Sequence, residues 1–309
     1  MTSREVEHEI TIGTSADSVY RLIADVTKWP QIFPRNVHVE YVERGSATER
    51  IQIWAIANGT ARTWVSRRDL DPDRLRIDFR PEKSQPPVGG GAWIIEPISE
   101  TQCRVRLLYE YHAVNDDPAK LAGIDAAVDR NGHSGLAALK ANAELDADAP
   151  DLLLSFEDTV RINGKAEDVY DFINEAQLWS ERLPHVARVS LEEETPGLQL
   201  LEMDTRTKDG STHTTKSVRV CLPHEKIVYK QIKVPALMTM HTGHWLINEQ
   251  DDGGLAVTSR HTVRINTENI TRILGETAAL GDAREFVRNA LSANSLATLG
   301  FARTYAEQR

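Results

Sequence analysis

VEHEITIGTSADSVYRLIADVTKWPQIFPRN, residues 6–36, returns 150 positions later, without a gap, as FEDTVRINGKAEDVYDFINEAQLWSERLPHV, residues 156–186. Glu7, Ile12, Ala16, Val19, Tyr20, Ile23, Trp29 and Pro34 fall on Glu157, Ile162, Ala166, Val169, Tyr170, Ile173, Trp179 and Pro184. Chance would supply about two identities over such a window if all residue types were equally common. Eight, with a Trp and a Tyr among them, mean duplication. Solenoid repeats run about 20–50 residues, so this unit is a whole domain.

Working outward, each copy reads in the same order. Residues 6–12 alternate as a strand. Thr14 or Ser15 offers a cap, and ADSVYRLIADV (16–26) spaces its apolar groups as a helix does. A second short helix is expected around Trp29 to Phe33. Six strand-like stretches follow near 37–44, 49–57, 60–70, 74–80, 90–97 and 102–112, separated by turn-prone ANG, DPD and PPVGGG. Asp116 and Pro118 then open a long helix to about residue 144. The second copy predicts strands near 153–162, 186–193, 198–205, 212–222, 225–234, 239–248 and 255–264, and a long C-terminal helix. This order implies an α+β class, with a curved seven-stranded antiparallel sheet around one long helix in each domain. Such a grip leaves a cavity wherever the enclosed side chains are small. The seam is DADAPD (146–151), a short acidic linker, giving domains 1–147 and 151–309.

The 309 residues suit two such domains, and 40% hydrophobic with 27% charged residues is ordinary for a globular chain. A net charge of −10 argues against general nucleic-acid binding. No apolar run reaches the roughly 18 residues of a membrane span. MTSREVEHEITIG lacks the pattern of a signal peptide. Cys103 and Cys221 do not occupy matching places in the two copies, which argues against a disulfide or metal site and for a cytoplasmic protein.

Polar residues on inward-facing positions are the candidates for chemistry. In RTWVSRRDLD (62–71), Trp64, Ser66 and Arg68 share one face of a strand. Arg68 can donate to a carbonyl oxygen and stabilise an enolate there, with Ser66 relaying a proton and Trp64 forming a wall. The competing reading has Arg68 in solvent, paired with an acid on the next strand. TTKSVRV (214–220) repeats the pattern as Ser217 and Arg219, with Thr215 where Trp64 stands. On the first long helix Asn131 lies in an apolar stripe, served either by a ligand or by a neighbouring carbonyl; matching RNALS (288–292) to RNGHS (130–134) makes Asn289 its counterpart. Trp29 and Trp179 read first as packing anchors. PPVGGG (86–91) is a possible lid without the setting of a phosphate loop. His241 and His244 point to opposite faces, His185 and His213 are isolated, and at most one histidine is a plausible acid/base group. No triad, zinc motif or carboxylate pair stands out.

ADVTKWPQIFP (24–34), TWVSRRDLDPDRL (63–75) and DRNGHSGLAALKANAE (129–144) together resemble the aromatase/cyclases of bacterial type II polyketide synthases, in their di-domain subclass. The resemblance covers nearly the whole chain. It implies two tandem helix-grip (START/Bet v 1-like) domains, each with two short helices. It also implies an aldol closure between carbons 7 and 12 of a poly-β-ketone held on an acyl carrier protein, then dehydration to an aromatic ring. Catalytic roles would fall to Arg68, Ser66, Arg219 and Ser217, and substrate contacts to Trp29, Asn36, Trp64, Asn131, Trp179, Trp245 and Asn289. Asn36 stands where some single-domain relatives carry a tyrosine, which puts the proton-donating role of that phenol in doubt here. The chemistry requires no metal or organic cofactor. Other synthase components are the expected partners, with Arg67, Arg74 and Arg76 as the basic patch for the carrier protein, and the chain is expected to be a monomer, a pseudo-dimer within itself. The alternative is a non-catalytic carrier of a lipid or polyketide.

Overall fold

The computed structural model describes residues 4–57, 60–82, 88–111, 118–206, 210 and 212–309. The first domain opens with β1 (Arg4–Ile12), α1 (Ala16–Ala24) and the single turn α2 (Trp29–Ile32). Of the two possible caps, Ser15 is used: its Oγ accepts the Ser18 N–H at 3.3 Å. Pro30 sits in the first turn of α2, where an N–H would lack a partner. A meander follows through β2 (Asn36–Arg44), β3 (Thr48–Ala57), β4 (Thr60–Asp71), β5 (Arg76–Glu82), β6 (Val88–Ser99) and β7 (Gln102–Tyr111). The long helix α3 (Pro118–Asp148) completes the unit. All pairings are antiparallel, in the order β1-β7-β6-β5-β4-β3-β2, so β1 closes the sheet against the last strand.

The second domain repeats this with β8 (Leu153–Ile162), α4 (Ala166–Asn174), α5 (Trp179–Arg182), β9 (Val186–Thr195), β10 (Leu198–Arg206), β11 (Thr212–Leu222), β12 (Lys226–Lys233), β13 (Met238–Glu249) and β14 (Leu255–Ile265). Its strand order is β8-β14-β13-β12-β11-β10-β9. Contacts divide the chain into Met1–Pro150 and Asp151–Arg309. The seam is tighter than a linker: α3 runs through Asp146 and Asp148, and Pro150 opens a 3-10 turn that leads into β8.

One element was not anticipated. A short helix α6 (Ile270–Leu274) separates β14 from the long helix α7 (Leu280–Glu307). The spacing between the copies, 150 at the start, has grown to 163 on the long helices. Gly13 N–H donates to Glu144 Oε1 at 2.7 Å, and its counterpart Asn163 N–H donates to Glu307 Oε1 at 2.9 Å.

The duplicated apolar positions build the two cores. Ile12, Val19 and Ile23 pack with Leu136 and Leu139 of α3; Ile162, Val169 and Ile173 pack with Leu299 and Ala302 of α7. Burying each such aliphatic side chain contributes about 1.5–3 kcal/mol. This packing fixes the long helix against the start of the sheet. The positions that contact chemistry lie along the rest of the sheet's inner face.

Candidate active site

β4 carries Trp64, Ser66 and Arg68. Arg68 is 1% exposed and lies directly opposite Glu49 in the β3–β4 register. Its Nη1 is 2.9 Å from Glu49 Oε1 and donates to Ala24 O at 3.2 Å, and Nη2 donates to Ile23 O at 2.9 Å. Those two carbonyls end α1, where the helix presents unpaired oxygens and the negative pole of its dipole. The guanidinium also lies 5.1 Å from the centre of the Trp29 ring, whose Nε1 donates to Ile23 O at 3.0 Å. Burial lowers the pKa of Arg68 and raises that of Glu49, and the opposite charges offset that penalty. Each sequence reading therefore holds in part. Arg68 points inward, and it is paired with an acid on the neighbouring strand. Ser66 is buried with its Oγ 3.4 Å from Arg67 O. Trp64 is half-buried against Val26, Val39, Ile51, Ile53 and Ala55.

In the second domain the same frame holds a different partner. Gln199 replaces Glu49 opposite Arg219, and its amide donates to Glu193 Oε2 at 2.9 Å and to Asn174 O and Oδ1 at 3.3 and 3.2 Å. Arg219 is 2% exposed. Its Nη2 donates to Ile173 O at 2.6 Å, and the group lies 5.2 Å from the Trp179 ring. Nη1 is buried with no hydrogen-bond partner among the described residues. Such an orphaned donor costs about 1–3 kcal/mol until something accepts from it. Arg219 and Ser217 line a cavity of about 130 Å³, together with Trp179, Trp245, Leu201, Met203 and Thr215. Thr215 lies opposite Met203, the place that Trp64 takes opposite Ile53. Where the first domain carries an indole, the second leaves space.

A polar cluster on β12, β13 and β14 continues the lining of this cavity from Arg219, whose cross-strand neighbour is Tyr229. His261 Nδ1 is 3.0 Å from both His241 Nε2 and Tyr229 Oη, and its Nε2 is 3.2 Å from Ser259 Oγ. Phe156 stacks on the His261 ring at 5.2 Å. Gly243 makes room, because a Cβ there would lie 2.4 Å from Tyr229 Oη and 2.4 Å from Arg260 O. Burial pushes His261 down to about 4 and His241 well below its ordinary value, so both rings are neutral at pH 7; burial also raises the Tyr229 phenol. His185 and His213, isolated in sequence, also line the cavity, and burial lowers both. His261 escaped the sequence reading. The signal was its place between Ser259 and Val263 on the inward face of β14, a polar group where the pattern calls for an apolar one.

Comparison with known proteins bears on this geometry. The family described as polyketide cyclase/dehydrase and lipid transport matches residues 3–144, and a second model with the same description matches residues 162–287. The chain is 51% identical over 300 residues to the granaticin polyketide synthase bifunctional cyclase/dehydratase of Streptomyces virginiae, covering 96% of this chain and 98% of that one. It belongs to the polyketide cyclase/dehydrase family. The actinorhodin polyketide synthase bifunctional cyclase/dehydratase of Streptomyces coelicolor is 43% identical, with 96% of each chain covered. The crystal structure of the di-domain ARO/CYC BexL from the BE-7585A biosynthetic pathway superposes with a TM-score of 0.92 at 58% identity over 99% of both chains. That of StfQ, from the steffimycin pathway, gives 0.89 at 38% identity over 98% of this chain and 99% of its own. The protein is thus an enzyme of the aromatase/cyclase type, with the helix-grip fold in both domains.

Other residues of this cyclase fall less neatly. Asn289 is exposed on α7 and does not line the cavity around Arg219. The helix spacing of 163 makes Asn294 the counterpart of Asn131, and Asn294 lines the cavity. Matching RNALS to RNGHS slid the helix by five residues because α6 was not foreseen. Asn131 itself accepts from the Arg35 guanidinium. Asn36 begins β2, half-buried, with its N–H donating to Phe33 O at 3.1 Å. Within 86–91, Pro86 and Pro87 lie outside the described residues, whereas Val88 to Gly91 belong to β6. Arg67, Arg74 and Arg76 are each paired with an acid: Asp69 at 3.2 Å, Asp71 at 3.8 Å and Asp78 at 2.7 Å. Among the described residues no helix is long and apolar enough to cross a membrane.

Proposed function

We propose that the second-domain cavity receives a poly-β-ketone, delivered as a thioester of an acyl carrier protein, at the stage where its first ring closes between carbons 7 and 12 and loses water. The observation that carries this is the Nη1 of Arg219, a buried cationic donor with no acceptor among the described residues, on a side chain that lines a cavity. A ketone oxygen is the neutral group that accepts from it, and an enolate accepts more strongly. The donor therefore binds the transition state of enolisation better than the ground state, as catalysis requires. The size agrees with a single ring, since a dry cavity of about 150 Å³ accepts benzene.

Trp179 and Trp245 supply flat walls, and Ser217 orients the carbonyl beside Arg219. Hydrogens between two ketones are already acidic, so holding the chain in one folded geometry supplies much of the acceleration. Arg68 and Ser66 have a different part. Ion-paired with Glu49 and with its donors given to Ile23 O and Ala24 O, Arg68 secures the first domain's helix against its sheet. Arg219→Ala in a synthase reconstituted with its carrier protein tests the assignment. Correctly aromatised product should fall by about 10²–10³-fold. Undiminished product from folded Arg219→Ala protein would remove the guanidinium from the reaction.

A further inference from the structure

The sheet face beside the arginine, where Tyr229 pairs with Arg219 in the β11–β12 register, holds more chemistry than binding needs. We propose that Tyr229, His241 and His261 are the acid–base centre that removes water: His241 takes the α-proton of a β-hydroxy ketone, Tyr229 protonates the departing hydroxyl, and His261 positions both. This rests on the reading that the substrate carbonyl sits at Arg219.

The hydrogen bonds assign the roles. A neutral imidazole has one N–H and one bare nitrogen. His261 Nε2 is 3.2 Å from Ser259 Oγ, and in the tautomer that donates there the bare Nδ1 faces two donors at 3.0 Å, the Tyr229 O–H and the His241 Nε2–H. One lone pair cannot serve both fully. This tautomer leaves His241 Nδ1 bare, and that nitrogen is buried with no hydrogen-bond partner among the described residues. It is the base. Burial keeps the imidazoles unprotonated at neutral pH, so the base form is present before substrate arrives.

The contest for His261 couples base to acid. When His241 Nδ1 gains a proton the ring becomes cationic, and its Nε2–H becomes the stronger donor to His261. The phenol is displaced from His261 Nδ1, and its proton is free for the leaving group. In the full step the α C–H bond breaks, its proton goes to His241, and the electron pair moves onto the carbonyl oxygen held by Arg219. Collapse of that enolate forms the C=C bond and breaks the C–O bond, and the hydroxide leaves with the Tyr229 proton as water. Return of the proton from the His241 imidazolium to the phenolate restores the resting state. No oxidant, reductant or metal enters the balance.

The test uses the full chain, an N-acetylcysteamine thioester of a cyclised β-hydroxy ketone as substrate, and its aromatic product as binding probe. His241→Gln should lower kcat for water loss by about 100-fold, with product affinity within twofold of wild type. Tyr229→Phe, nearly isosteric, should lower kcat by at least tenfold with affinity equally preserved. His261→Asn should lower kcat without raising KM and should move the acidic limb of the pH profile, a change that a merely structural role would not produce. Wild-type kcat in His241→Gln and Tyr229→Phe proteins that still bind product would overturn the acid–base assignment alone. Failure of the wild-type protein to bind the product would remove the cavity reading, and this assignment with it.

Discussion

Arg68 and Arg219 stand at matching places of the two domains, each buried, each beside a tryptophan and each donating to a carbonyl at the end of the domain's first helix. They differ in what lies across the strand. Glu49 neutralises the first guanidinium, whereas Gln199 turns its amide toward Glu193 and Asn174 and leaves Nη1 of the second unanswered. The same divergence recurs further along the sheet. Phe79, Gly91 and Tyr109 occupy the register places of Tyr229, Gly243 and His261. In the first domain Phe79 and Tyr109 make an edge contact at 6.0 Å, and burial pushes the Tyr109 phenol up to about 12. In the second, the same places carry a phenol and an imidazole in hydrogen-bond contact. After duplication, the neighbouring strand decides whether a buried arginine meets a counter-ion, as Arg68 does at Glu49, or an amide, as Arg219 does at Gln199.

Four measurements can break or sharpen this contrast. The largest effect is expected from Glu49→Gln, which leaves Arg68 buried without a counter-charge and should cost the first domain about 3–5 kcal/mol. The double variant Glu49→Gln/Arg68→Met should recover most of it, and hydrogen exchange resolved by domain reads both. Next comes acid. His261 titrates at about 4 when folded against 6.5 when unfolded, so between those values the unfolded chain binds a proton that the folded chain refuses. The contribution of this group is therefore complete above pH 6.5 and declines as pH falls toward 4, by about 3 kcal/mol. Denaturant unfolding at pH 7 and pH 4.5 should show the loss in the second domain, and His261→Phe should reduce it, leaving the part that His241 contributes.

Gln199→Glu should give Arg219 the partner that Arg68 already has. Aromatic product should then bind about tenfold more weakly, a loss of about 1.4 kcal/mol measurable by titration calorimetry. An unchanged affinity would mean that Nη1 does not meet the ligand. The smallest effect belongs to Asn289→Ala. Exposed on α7, it should change stability by less than about 0.5 kcal/mol and leave product formation alone. Asn294→Ala, at the cavity, should weaken product binding.

The boundaries of most strands were legible to within a few residues, because alternation along a half-buried sheet repeats with period two and both copies gave the same reading. Ser66, Arg68, Ser217 and Arg219 were rightly placed facing inward for the same reason. Asn289 was misplaced because a long helix offers several matches at similar spacing, and the segment with α6 had shifted the true one further along the chain. The meeting of the histidines was not legible, because His213, His241 and His261 come from separate strands and His185 from the turn before β9, and no linear spacing marks it.

The sequence by itself determined the duplication, the order of elements and the face on which each strand residue lies, since these follow from local periodicity and from self-comparison. Only the tertiary structure decided which of two equivalent arginines keeps a free donor and which histidines share a proton. Those outcomes depend on partners brought to within about 3 Å by strand pairing, and at that range one changed neighbour, Glu49 against Gln199, is enough to change what an arginine meets.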